Sequence, residues 1–206
     1  MPKQTFFNLP LEKRQIIEQA ALDEFSEYGF DSAVLNRIVA ESKIAKGSFY
    51  QYFEDIKDLY FHLIDTLIKK KAKHIEPALK SYKEHSLPHN LKEIFRLGLE
   101  FSEDDPKLQK LGEDFVAKSR PFYEDFAEKY KPEAMDIYTI LLVHAQENGE
   151  LREDINLPLA SFFISSLIDK TVVLIMGQRG TKEQTNSIVR ELLSYIERAI
   201  MKEVSP

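Results

Sequence analysis

Residues 34–53 read VLNRIVAESKIAKGSFYQYF. Ile38, Ile44, Phe49 and Phe53 recur at spacings that suit two short helices closing on a small apolar core. The first helix is expected from 34 to about 41, a tight turn at 42–44, and the second helix from 45 to about 52. Within 42–53 the charged residues are Lys43 and Lys46, with no acid.

Upstream, Pro10 suits the first turn of a helix running to Tyr28. Ile17, Ala21, Phe25 and Tyr28 form its expected buried stripe. Gly29 fits the position just past its end, where a left-handed backbone is cheap. Asp31 or Ser32 can cap the short helix that follows. Downstream, Asp55 caps a long helix expected to reach about Ile75, with Asp58 as the acid of a capping-box pattern.

Farther on, 76–89 turns polar and holds Pro77 and Pro88. A helix is expected over 90–101. Asp105-Pro106 pairs a cap with proline at the first helical position, opening a helix that Pro121 kinks or ends. Pro132 opens the next, which Gly149 closes. Asn156 and Pro158 open an apolar helix to about Met176. Thr181 with Gln184 is a capping-box pattern opening the last helix, to about Lys202. The reading is all-α, about nine helices: a three-helix helix-turn-helix head and a larger helical domain. The boundary falls at 1–55 and 56–206, with the helix at about 56–75 linking the two.

The segment IIEQAALDEFSEYGFDSAVLNRIVAESKIAKGSFYQYFEDIKDLY resembles the N-terminal domain of TetR-family (TetR/AcrR) transcriptional regulators. Its most specific part is 45–53, AKGSFYQYF. The resemblance implies a homodimer that binds a pseudo-palindromic double-stranded DNA operator and acts as a repressor released by a small, largely apolar ligand. A same-fold regulator governed by a protein partner, or without an effector, is the alternative. The residues expected at DNA are Arg37, Lys43, Lys46, Gly47, Ser48, Tyr50, Gln51, Tyr52 and Lys57. Lys46 can bond phosphate or a guanine edge, Gln51 can read adenine, and Gly47 has no side chain to collide with the duplex. Arg37 can equally pair with Glu41 at i, i+4. Lys3, Lys13 and Arg14 suit a flexible basic arm or clamp. Two departures stand out. Ala33 and Ala45 occupy positions where the family carries Ser or Thr caps, and Lys43 replaces the turn glycine.

The middle helices are rich in aromatics, which suggest an apolar ligand cavity. Its expected lining is Phe95, Leu99, Phe115, Phe122, Phe126, Tyr138, Leu142, His144, Phe163 and Asp169. Stripes on the last two helices suit a symmetric dimer interface, through Phe162, Ser166, Val173, Ile188, Leu192, Tyr195, Ile196 and Ala199.

Composition bounds the alternatives. The chain has 206 residues, 43% hydrophobic and 30% charged, with net charge −6. Residues 1–53 hold six Lys/Arg against seven Asp/Glu, so most excess acid lies outside the head. A local basic surface is enough for phosphate contact. No cysteine is present, which excludes disulfides, cysteine-ligated zinc and thiol catalysis. His85 and His89 have metal-ligand spacing but no evident third ligand, so no metal or other cofactor is expected. No nucleophile–base pattern or phosphate-binding glycine loop appears, so no enzyme is expected. The N-terminus lacks a secretory pattern and the most apolar stretch contains Asp169 and Lys170, so a cytoplasmic protein without a membrane partner is expected.

Overall fold

A computed structural model describes residues 1–130, 137–178 and 181–202, apart from the side chains of 120, 127, 130, 169, 170, 172–178 and 182. The described chain forms α1 (Gln4–Phe7), α2 (Leu11–Ser32), α3 (Leu35–Glu41), α4 (Lys46–Tyr52), α5 (Ile56–Ser81) and α6 (Leu87–Asp104). It continues as α7 (Pro106–Ala117), α8 (Arg120–Tyr130), α9 (Ile137–Glu147), α10 (Leu157–Gln178) and α11 (Lys182–Ile200). Among the described residues, β pairing is limited to one antiparallel bridge, Leu151 with Met201.

The helix starts follow their side chains. Asp55 Oδ1 accepts the Asp58 N–H (2.7 Å), and Asp58 Oδ2 accepts the Glu54 N–H (3.2 Å). Asp105 accepts the Leu108 N–H, with Pro106 at the first position of α7. Thr181 and Gln184 close a reciprocal capping box at α11. The Asp58, Leu108 and Gln184 amides bound in this way lie in first helical turns, which leave them without intrahelical partners. Gly149, with φ +72°, follows α9 as expected.

Several boundaries differ from the sequence expectation. The all-α reading holds, but the described residues contain eleven α-helices rather than nine. One addition is the single turn α1. The other is α8, because Pro121 sits in the first turn of a new helix instead of ending the old one. A proline there sacrifices no helical hydrogen bond. Pro88 does the same in α6. Pro77 lies inside α5, which runs on to Ser81. Pro132 lies outside the described residues.

The chain divides into two compact units, Met1–Ala72 with Ser102–Pro132, and Lys73–Phe101 with Glu133–Pro206. In the first, α2, α3 and α4 enclose Ile17, Ala21, Phe25, Ile38, Phe49 and Phe53, all at most 1% exposed. Helices α7 and α8 belong to this unit, where Phe115 and Phe122 pack edge-on or tilted against Tyr60. The core of the second unit includes Leu87, Leu91, Phe95, Leu142, Ile164 and Ile196.

Candidate nucleic-acid interface

Helix α4 is seven residues long and buries Phe49 and Tyr52 on one face. Burying a phenylalanine side chain contributes about 1.5–3 kcal/mol. Phe49 and Phe53 together therefore outweigh a missing cap of ~1 kcal/mol and a strained turn residue of about 1–2 kcal/mol. Both of those costs are present. Ala45 is the N-cap of α4 and supplies no side-chain hydrogen bond. Lys43 has φ +54°, the one non-glycine residue with positive φ among those described.

The first cap is replaced from elsewhere. Neither Asp31 nor Ser32 caps α3. Asp31 is bound by Lys118 at 2.5 Å, and the Ser32 carbonyl accepts from Arg37 at 3.1 Å. The N-cap of α3 is Val34, whose own N–H donates to the buried Glu24 carboxylate at 2.6 Å. Glu24 also receives Arg37 Nε at 2.8 Å and Arg37 Nη2 at 2.5 Å. Burial disfavours the charged Glu24, but the hydrogen bonds from Arg37 and the Val34 N–H prevail and hold its pKa below the ordinary value. The Arg37 guanidinium lies 4.2 Å from the Tyr28 ring centroid. Tyr28 is therefore 44% exposed, a platform for Arg37 rather than part of the buried stripe. One sequence signal pointed to Glu24: it falls on the Ile17–Ala21–Phe25 face, where a carboxylate needs a partner.

The exposed side of the turn and of α4 presents Lys43, Lys46, Gly47, Tyr50 and Gln51, with Ser48 half-buried. Lys43 and Lys46 have no carboxylate partner among the described residues. Nothing lies within 4 Å of the position a Cβ would take on Gly47. Tyr50 is 47% exposed and rests edge-on against Phe49.

Three residues expected at DNA have partners within the chain. Arg37 pairs with Glu24, not with Glu41. Tyr52 is buried, 6.3 Å from the ring of Phe6. Lys57 pairs with Asp125 and lies over the rings of Phe61 and Phe122. Lys3 is no loose arm, because its ammonium donates to the Tyr50 carbonyl at 2.8 Å.

The ten expected cavity residues are divided between the two units. Phe115, Phe122 and Phe126 pack together in the first unit. Phe95 and Leu142 are buried in the core of the second, with Leu99 and Tyr138 packed against it. His144 stands edge-on to Tyr82 and bonds Asn148 at 2.9 Å. Phe163 is exposed. The side chain of Asp169 lies outside the described residues, as does that of Val173. A cavity of about 480 Å³ in the second unit has a different lining, including Lys92, Val189, Arg190 and Leu193.

The expected dimer stripe also divides. Leu192 and Ile196 are buried in their own unit, and Ile188 packs against the same core. Phe162 at 68% and Tyr195 at 53% are exposed, as is Ala199, with Ser166 half-buried.

Residues 17–63 match the model of the bacterial regulatory proteins of the tetR family. The Escherichia coli K12 transcriptional regulator RutR is 32% identical over 100 residues, 48% of this chain and 45% of RutR. The match thus spans about half the length of that curated relative. Among solved structures, a TetR family regulator from Chloroflexus aurantiacus superposes with TM-score 0.72 at 23% identity, over 98% of this chain and 100% of the other. FadR from Bacillus subtilis, solved in complex with stearoyl-CoA, gives 0.70 at 22% identity, over 87% and 97%.

Proposed function

From the premise that the chain belongs to the tetR family of bacterial regulatory proteins, we propose that it is a sequence-specific DNA-binding transcription regulator that acts as a homodimeric repressor. The observation that carries this reading is the exposed edge of α4. Lys43 and Lys46 stand there unpaired among the described residues beside Gly47, Ser48, Tyr50 and Gln51, on a helix pair locked from behind by Phe49 and Phe53. The lysines supply phosphate contact, and Gln51 and Tyr50 supply base-edge contact in the major groove. The Arg37–Glu24 pair ties α3 to α2 behind that edge.

Selection of bound fragments from genomic DNA, followed by retardation assays, tests the reading. Binding should fall steeply as salt rises. The double variant Lys46→Ala/Tyr50→Ala should abolish retardation with helical content unchanged. Undiminished binding by that variant would remove α4 from the interface.

For control, a small, largely apolar effector is the reading supported by the stearoyl-CoA complex of the similarly folded FadR. The alternative, a protein partner or no effector, is favoured by the packing of Phe95, Phe115, Phe126 and Leu142 as core. A thermal-shift series with fatty acids and their coenzyme A esters separates the two. A saturable rise in melting temperature with loss of operator binding supports the first, and no response supports the second.

A further inference from the structure

The last carbonyls of α4 are not left to solvent. The Lys3 N–H donates to the Tyr52 carbonyl at 2.7 Å. Lys3 Nζ donates to the Tyr50 carbonyl at 2.8 Å, and Thr5 Oγ1 donates to the Gln51 carbonyl. Three consecutive carbonyls at the end of the recognition helix are thus held by one short segment. The end of any helix leaves such acceptors without intrahelical partners. Phe6 pins that segment down. It is 0% exposed, with its ring centroid 4.8 Å from Phe53, 5.3 Å from His62 and 6.3 Å from Tyr52.

The need for such a device follows from α4 itself. A helix of seven residues lies below the length at which helices persist alone, and its N-cap Ala45 contributes no side-chain bond. Its shape depends on Phe49 and Phe53 beneath it and on whatever holds its far end.

We propose that Lys3, Thr5 and Phe6 form a clasp that positions the recognition helix, so that operator affinity depends on side chains that make no base contact. This rests on the DNA-binding reading above. Phe6 has no access to a ligand and acts only through α4. Thr5 spends its hydroxyl proton on Gln51, a residue expected at the base edges. Lys3 spends its charge on a carbonyl rather than reaching out as an arm.

The test combines amide hydrogen exchange on the free protein with operator affinity measured over a range of salt. Thr5→Val removes one donor at nearly constant shape, and Phe6→Ala removes the anchor. Both should speed exchange of the α4 amides about tenfold or more while leaving the middle of α2 unchanged. Losing one hydrogen bond should weaken operator binding about three- to tenfold, with the salt slope preserved because no phosphate contact is lost. Lys3→Met should behave like Thr5→Val. Unchanged α4 exchange in Thr5→Val would overturn the clasp, even if Phe6→Ala fails to fold. So would an affinity loss confined to Lys3→Met with the slope reduced by about one, the signature of a phosphate-binding arm. Failure of the wild-type protein to bind any duplex at low salt would sink the DNA reading instead, and the exchange measurement would still judge the clasp.

Discussion

Lys43 holds two roles that oppose each other. Its backbone sits at φ +54°, where a side chain costs about 1–2 kcal/mol relative to glycine. Its ammonium stands exposed beside α4. Lys43→Gly should raise the unfolding free energy by up to about 1 kcal/mol, once the entropy of the added glycine is set against the relieved strain. The same change should lower operator affinity and the salt slope by about one. Urea unfolding and salt-dependent retardation on one variant check both. Glu24 makes a second residue-scale prediction. Its folded pKa lies below the ordinary 4.5, so its contribution to stability is present above that value and is lost as pH falls through the lowered one. Glu24→Gln should be less stable than wild type at neutral pH, and the gap should close in acid. A gap that persists unchanged into acid would mean the Glu24 charge does not stabilise the head.

At the scale of elements, the end of α2 is fixed by α7. Gly29 takes φ +69°, and a Cβ there would stand 3.0 Å from Asp114 Oδ1. Asp114 Oδ2 accepts the Phe30 N–H at 3.3 Å and the hydroxyl of fully buried Tyr60 at 2.7 Å. Burial raises the Tyr60 pKa, and the hydrogen bond to the Asp114 carboxylate adds to the rise. One carboxylate on α7 therefore joins α2 to α5. Asp114→Ala should cost about 1–3 kcal/mol, because it leaves the buried Tyr60 hydroxyl only the Leu111 carbonyl at 3.4 Å. Adding Tyr60→Phe should recover part of that loss, and a double-mutant cycle in urea measures the coupling. Purely additive effects would show that the bond is not shared in this way.

At the scale of the whole molecule, the second unit exposes Leu159, Phe162 and Phe163 on α10 and Tyr195 on α11. Large exposed apolar side chains grouped on two helices mark an interaction surface. On the homodimer proposed above, this face would meet its symmetry mate, with two heads on half-sites about 34–36 Å apart. Phe162→Asp should yield a monomer by analytical ultracentrifugation, with helical content intact and operator affinity greatly reduced. A variant that remains dimeric would place the interface elsewhere.

The helical class, the helix-turn-helix at 34–53 and most helix starts were legible along the chain. Periodicity and capping are local, and Asp55, Asp105, Asn156 and Thr181 announce themselves within four residues. The family resemblance singled out Lys43, which stands where the family carries a turn glycine, and its φ is +54°. What each candidate side chain faces depends on residues far away along the chain. Glu24 lies thirteen residues before Arg37, Asp114 eighty-four after Phe30, and Thr5 forty-six before Gln51. No periodicity encodes such pairings. They give Arg37 and Lys57 carboxylate partners, and they tie the Lys3 ammonium to the Tyr50 carbonyl. The aromatic residues of the middle helices were legible as apolar but not as core or cavity. A ring looks the same in sequence whether another ring or a ligand fills the space beside it.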